Sequence, residues 1–76
     1  MTRTERAEAE KQALELYQKA LPLLITFEEV LRARSASQRE INTALFLRRN
    51  VYHNLTDLGV DKSVQFEAIE RELDLW

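Results

Sequence analysis

The stretch LRARSASQREI, residues 31–41, decides the fold. One apolar-periodic segment enters it at Leu31 and another leaves it at Ile41, with Ser35-Ala36-Ser37 between them. Ser37 is followed three residues later by Glu40. This is the S-x-x-E capping box, in which hydroxyl and carboxylate each take up a free backbone N–H at a helix start. The chain therefore reverses at residues 35–37. A reversal this short lays the two flanking helices antiparallel and side by side.

Working back toward the N-terminus, Thr2 and Glu5 repeat the same box, so the first helix is read as residues 3–34. Pro22 interrupts it, removing the hydrogen bond to the Gln18 carbonyl and disfavouring helical geometry at Leu21. The apolar stripe nevertheless stays in phase across the proline: Ala13, Leu16, Ala20, Leu23, Phe27 and Val30 recur every three or four residues. A second stripe, Leu14, Tyr17, Leu21, Leu24 and Leu31, runs beside it. One kinked helix is expected rather than two. On the other side of the turn, the second helix is read as residues 38–58, ended by Gly59 in a left-handed conformation, with Val60 meeting Leu55. Asp61 then caps a third helix over 62–75.

At 1.5 Å per residue the three helices measure roughly 48, 31 and 20 Å. The antiparallel register sets Leu31 near Ile41, Phe27 near Leu45 and Tyr17 near Leu55. The third helix has two courses, onward along the first turns of the first helix or back over the hairpin. The first course would bury it poorly, since those turns offer only Ala7 and Ala9 as apolar cover. The fold class is all-α: an antiparallel hairpin plus a short third helix, a three-helix bundle that pairs into a dimeric helical bundle. Residues 1–76 are expected to form a single all-helical interaction domain.

Composition narrows the function classes. The 76 residues hold 11 Lys+Arg against 13 Asp+Glu, with 45% hydrophobic and 32% charged residues, a globular balance too apolar for a disordered tail. One glycine and one proline exclude collagen-like, linker-like and turn-dense all-β chains. No cysteine is present, hence no disulfide framework, thiolate zinc site or thiol nucleophile. The N-terminus is charged in both signs, unlike a secretory signal. The most apolar run, Leu21 to Phe27, falls well short of the ~20 residues that cross a bilayer. No membrane association is expected, and the cytoplasm is the expected compartment. A chain this short buries only about 60% of its unfolded surface, which favours self-association or a partner.

Few residues carry chemistry. His53 and Asp57 share a helix face, but no further His or Cys completes a metal site, and both fall opposite the apolar stripe. The carboxylate pairs Glu28-Glu29 and Glu67-x-x-Glu70 lack the Glu-x-x-His partner of di-iron bundles. No nucleophile elbow or phosphate-cradling glycine loop exists. The expectation is no catalytic, cofactor or metal site, and no enzyme. Glu28 falls near the seam of the first helix and Arg48 inside the apolar stripe of the second (Ile41, Ala44, Leu45, Val51, Tyr52, Leu55). In antiparallel register they are about one turn apart, so a partly buried ion pair that fixes register is expected.

Charge is unevenly spread: residues 30–54 carry Arg32, Arg34, Arg39, Arg48 and Arg49 against Glu40 alone. Arg32, Arg34, Arg39 and Arg49 are the candidate contacts for an anionic partner, the first three bracketing the turn as a basic tip. An acidic pI of about 5.4 and the lack of an aromatic platform weigh against nucleic acid. A helix-turn-helix at Gly59 would offer an acidic recognition helix (Glu67, Glu70, Glu72, Asp74), which DNA repels.

The strongest signal is surplus apolar surface. From Leu16 to Leu31 the first helix is apolar on more sides than one neighbour covers. Phe46 stands nearly alone on the outer face of the second helix, and the third carries Phe66, Ile69, Leu73 and Trp76 as one stripe with Val64, Ala68 and Leu75 as another. The expected partner interface is Leu16, Leu23, Phe46, Phe66, Ile69, Leu73 and Trp76. The function expected from this is non-catalytic protein–protein interaction: an adaptor, assembly factor, small subunit or inhibitor of a larger protein, forming a homo-oligomer or joining a larger heteromeric complex. The alternative is a small nucleic-acid-binding regulator using the arginine tip.

Overall fold

The computed structural model describes residues 2–74. Three helices follow one another: α1 (Arg3–Ala33), α2 (Gln38–Asp57) and α3 (Ser63–Asp74). Their ends fall where side chains meet free backbone groups. Thr2 Oγ1 accepts from the Glu5 N–H at 3.1 Å, and Ser37 Oγ accepts from the Glu40 N–H at 3.3 Å. Asp61 Oδ1 accepts from both the backbone N–H (3.0 Å) and the hydroxyl (2.6 Å) of Ser63, so α3 starts one residue later than its expected Lys62. These hydrogen bonds hold the Asp61 carboxyl below the ordinary carboxylate range, the Ser63 hydroxyl contributing most.

Both inter-helix turns close in the same way. Gly59 has φ +97°, the Val60 N–H reaches back to the Leu55 carbonyl at 2.9 Å and the Gly59 N–H to the Thr56 carbonyl at 3.0 Å. That is the expected Schellman ending. The end of α1 repeats it without a glycine: Ser35 has φ +55°, the Ala36 N–H bonds the Leu31 carbonyl at 2.9 Å and the Ser35 N–H the Arg32 carbonyl at 3.1 Å. Thr56 ties α2 to the second turn, its hydroxyl donating to the Tyr52 carbonyl at 2.9 Å and accepting from the Lys62 N–H at 3.0 Å.

α1 runs unbroken through Pro22. The missing N–H leaves the Gln18 carbonyl without its helical donor, and both Pro22 and Gln18 are on the exposed side, where solvent takes that role.

α2 is the centre of the molecule. It packs against α1 on one side and α3 on the other, whereas α1 and α3 do not pack backbone to backbone. Of the two courses open to α3, the structure takes the fold-back. The core consists of Ile41, Ala44, Leu45, Val51, Tyr52, Leu55 and Ile69; Leu21, Leu31, Ala36, Phe66 and Leu73 pack against its Ile41, Leu45, Tyr52 and Ile69 cluster. Asn42, also buried, accepts from Gln38 Nε2 at 2.9 Å, while its Nδ2 finds no acceptor among the described residues.

The result is elongated, 47 × 21 × 17 Å with a radius of gyration of 14.5 Å. A compact chain of this length has a radius near 11 Å. The cause is the length mismatch: α1 has 31 residues against 20 in α2, and its first ten, residues 3–12, project beyond the hairpin fully exposed.

Candidate functional site

The two apolar stripes of α1 have different fates. Leu14, Tyr17, Leu21, Leu24 and Leu31 are half-buried and form the side that packs on α2. Leu16, Leu23, Phe27 and Val30 are exposed, Leu23 by 72% and Leu16 by 67%. Phe27, expected against Leu45, belongs to this outer stripe instead.

Two contacts locate the outer stripe in the round. Arg32 reaches Glu72 of α3 at 4.0 Å, so α3 lies on the Arg32 side of α1. Leu23 is nine residues before Arg32 and Val30 two before it, each about half a turn away around the helix. On α2, Arg49 pairs with Glu70 of α3, and Leu47, two residues earlier, is likewise just over half a turn away. Leu47 is itself exposed. Leu16, Leu23, Phe27, Val30 and Leu47 therefore share the face of the hairpin turned away from α3. Exposed apolar surface beyond a few hundred Å² in one patch is uncommon on monomers and marks interaction sites.

The register of this face is held by an ion-pair cluster. Glu28 meets Arg48 of α2 at 3.0 Å and Arg32 of its own helix at 2.9 Å, with the Glu28 and Arg48 side chains only 14% and 17% exposed. The expected pair thus exists. Arg48 approaches Glu28 Oε1 off the direction of a good hydrogen bond, and Arg48 Nε has no acceptor among the described residues, so the contact is chiefly one of charge.

The opposite face is organised around Arg49. Its guanidinium pairs with Glu70 and lies 4.7 Å over the Phe66 ring, which also meets His53 at 5.9 Å between centroids. Phe46 borders a shallow open hollow of about 320 Å³ with Arg49, Glu70 and Leu73. Phe46 is 47% exposed, as expected of an outward aromatic, but it sits beside α3 rather than with the α1 stripe.

Several expected interface residues serve the chain's own core. Ile69 is 3% exposed, and Phe66 and Leu73 pack against the same cluster, because α3 folds back and turns this stripe onto α2. Trp76 lies outside the described residues, as does Leu75. Val64 and Ala68 of the other stripe remain exposed. Leu47 was not singled out by the sequence; its only signal there was an apolar residue at the edge of the α2 stripe.

The four arginines do not form one surface. Arg32 is engaged by Glu28 and Glu72, and Arg49 by Glu70. Arg34 and Arg39 are exposed and make no ion pair among the described residues. His53 and Asp57 pair at 3.3 Å on the exposed side, and among the described residues no group of three metal-ligating side chains converges. Among the described residues no helix is long and apolar enough to cross a membrane. Comparison with known protein families, with curated proteins and with solved structures finds no match to this chain.

Proposed function

We propose that this chain is a small non-catalytic protein–protein interaction module, acting as an adaptor, assembly factor, small subunit or inhibitor, whose partner is a second copy of itself or a larger protein. The observation that carries this reading is the outer face of Leu16, Leu23, Phe27, Val30 and Leu47, five large apolar side chains on one side of a hairpin whose register is fixed by Glu28 and Arg48. A rigid apolar stripe on a helix is the usual docking form for another helix. The ionisable side chains support a binding role over a catalytic one, since His53–Asp57 is exposed and the two inter-helix ion pairs hold elements together. An anionic partner draws less support, because two of its four candidate arginines are already paired.

In-cell photo-crosslinking tests this reading. A photoreactive phenylalanine analogue at Leu16 or Leu23 should form covalent adducts with protein chains, and the same analogue at Gln18 or Glu29, on the exposed polar side of α1 away from the stripe, should not. Equal labelling from both sets of positions would refute a docking role for the α1 face.

A further inference from the structure

α2 carries two seams of the same spacing and different chemistry. Ile41, Ala44, Arg48, Val51 and Leu55 run along the side toward α1, where Arg48 meets Glu28. All but Arg48 are apolar and buried. Asn42, Leu45, Arg49, Tyr52 and Thr56 repeat those intervals along the side toward α3. There Arg49 meets Glu70, and Leu45 and Tyr52 share a cluster with Ile69. Asn42, Arg49 and Thr56 make this second seam the more polar one.

α3 fills its seam incompletely. Asn42 is 3% exposed and its Nδ2 has no acceptor among the described residues, so a polar N–H is desolvated there without compensation. Phe46, one turn on from Asn42, stays half-exposed beside the open hollow that Arg49, Glu70 and Leu73 complete. Of the described α3 residues only Ile69 is fully buried, and the Arg32–Glu72 tie to α1 joins two half-exposed side chains at 4.0 Å. Segments with so few buried apolar contacts open ahead of the rest of a fold. The hairpin keeps its own joint when α3 leaves: Ala44, Val51 and Leu55 lie outside the cluster that contains Ile69, and Glu28 still meets Arg48.

We propose that α3 opens as a unit while the α1–α2 hairpin stays formed, and that the seam it uncovers is a groove for an acidic amphipathic helix of another protein. α3 itself shows what the groove accepts. Phe66, Ile69, Glu70 and Leu73 stand at i, i+3, i+4 and i+7, the anchor spacing of helices that lie in grooves. Phe66 lies under the Arg49 guanidinium, Ile69 joins the Leu45 and Tyr52 cluster, Glu70 pairs with Arg49, and Leu73 borders the hollow. An incoming helix competes with a tethered one at high effective concentration, so it must bring something that α3 lacks. A ring in place of Leu73 does so by filling the hollow and covering Phe46. The partner is therefore a helix with aromatic side chains at its first and last anchors and a carboxylate facing Arg49. The groove lies on the other side of the hairpin from Leu16 and Leu23, so it stands or falls independently of that face.

Native-state hydrogen exchange on the wild type tests the opening. The amides of Ile69 and Leu73 should be protected at least about tenfold less than those of Leu45 and Leu55. Glu70→Gln, which alters no buried side chain, should lower α3 protection by about a further threefold and leave Leu55 unchanged. Equal protection in α2 and α3 overturns the opening. A fluorescently labelled synthetic helix of residues 61–74 carrying Leu73→Trp then probes the groove. The full chain with Ile69→Asp, whose own α3 cannot seat, should bind it at least about tenfold tighter than wild type, with the Glu70→Gln chain in between. If the aspartate unfolds the hairpin, Glu70→Gln against wild type carries the comparison. Arg49→Glu in the chain, or Glu70→Lys in the peptide, should abolish binding. No saturable binding to any of the three chains overturns the groove. Binding lost with Leu23→Asp and kept with Arg49→Glu puts the peptide on the α1 stripe, which upholds that face and overturns this one.

Discussion

α1 and α2 are built from similar residues and meet opposite fates. α1 is half as long again and holds the most apolar run of the chain, yet buries no residue fully; α2 buries seven, among them a polar one, Asn42. Position explains this where composition does not. α2 lies between two neighbours, so side chains over most of its circumference are covered, whereas α1 packs closely on α2 alone and reaches α3 only through the Arg32–Glu72 pair. Burial is set by how many elements surround a helix, and the shortfall on α1 measures what remains for an outside partner.

The sharpest way to break this contrast is to truncate one leucine in each helix. Leu45→Ala, in a site 1% exposed, should destabilise by about 2–5 kcal/mol in denaturant titration. Leu23→Ala, measured dilute enough to keep copies apart, should stay within about 0.5 kcal/mol of wild type. A large loss at Leu23 in the separated chain would show that α1 is not one-sided.

The joint between the two helices comes next. Arg48→Ala leaves the Glu28 carboxylate half-buried without its inter-helix partner and should cost about 1–4 kcal/mol. Arg48→Met together with Glu28→Leu should recover most of it. Additive effects of the two sites would mean that they are not coupled.

The helix ends give smaller effects of opposite sign. An added Cβ at Gly59 meets nothing within 4 Å, so Gly59→Ala should cost only the left-handed backbone penalty, about 1–2 kcal/mol. Ser35 already bears that penalty, and Ser35→Gly should stabilise by about 0.5 kcal/mol once the extra freedom of the unfolded glycine is deducted. Smallest is the cap of α3. A carboxyl whose folded pKa lies below its unfolded value stabilises fully above the unfolded pKa and loses this as pH falls through the folded one. Stability should therefore be flat from neutral down to pH ~5 as far as Asp61 is concerned, then fall in the acid limb, and Asp61→Ala should remove that component.

What was legible in the sequence was local. Thr2, Ser37, Gly59 and Asp61 mark helix ends through bonds made within a few residues, so those boundaries fall within one residue of expectation. Glu28 and Arg48 were legible because a short turn fixes the register near it. Ser35 was missed because nothing in a serine announces a left-handed backbone; the Schellman bonds hold it there. The direction of α3 depends on tertiary packing, and with it went the assignment of Ile69, which reads as interface in an isolated stripe and becomes core once that stripe turns onto α2. Phe46 and Leu47, adjacent in sequence, end on different surfaces because α3 stands beside only one of them.

Since α1 and α3 each pack backbone to backbone on α2 alone, every closely packed helix pair is also consecutive along the chain, the Arg32–Glu72 contact joining only side-chain ends. No helix must wait for a distant segment to arrive before it finds its neighbour. Two helical hairpins sharing a middle strut have low contact order, and folding in microseconds to milliseconds is expected. In stopped-flow or temperature-jump experiments α3 and the α1–α2 hairpin should be able to form in either order, with α2 structured early in both routes and highest in φ-value.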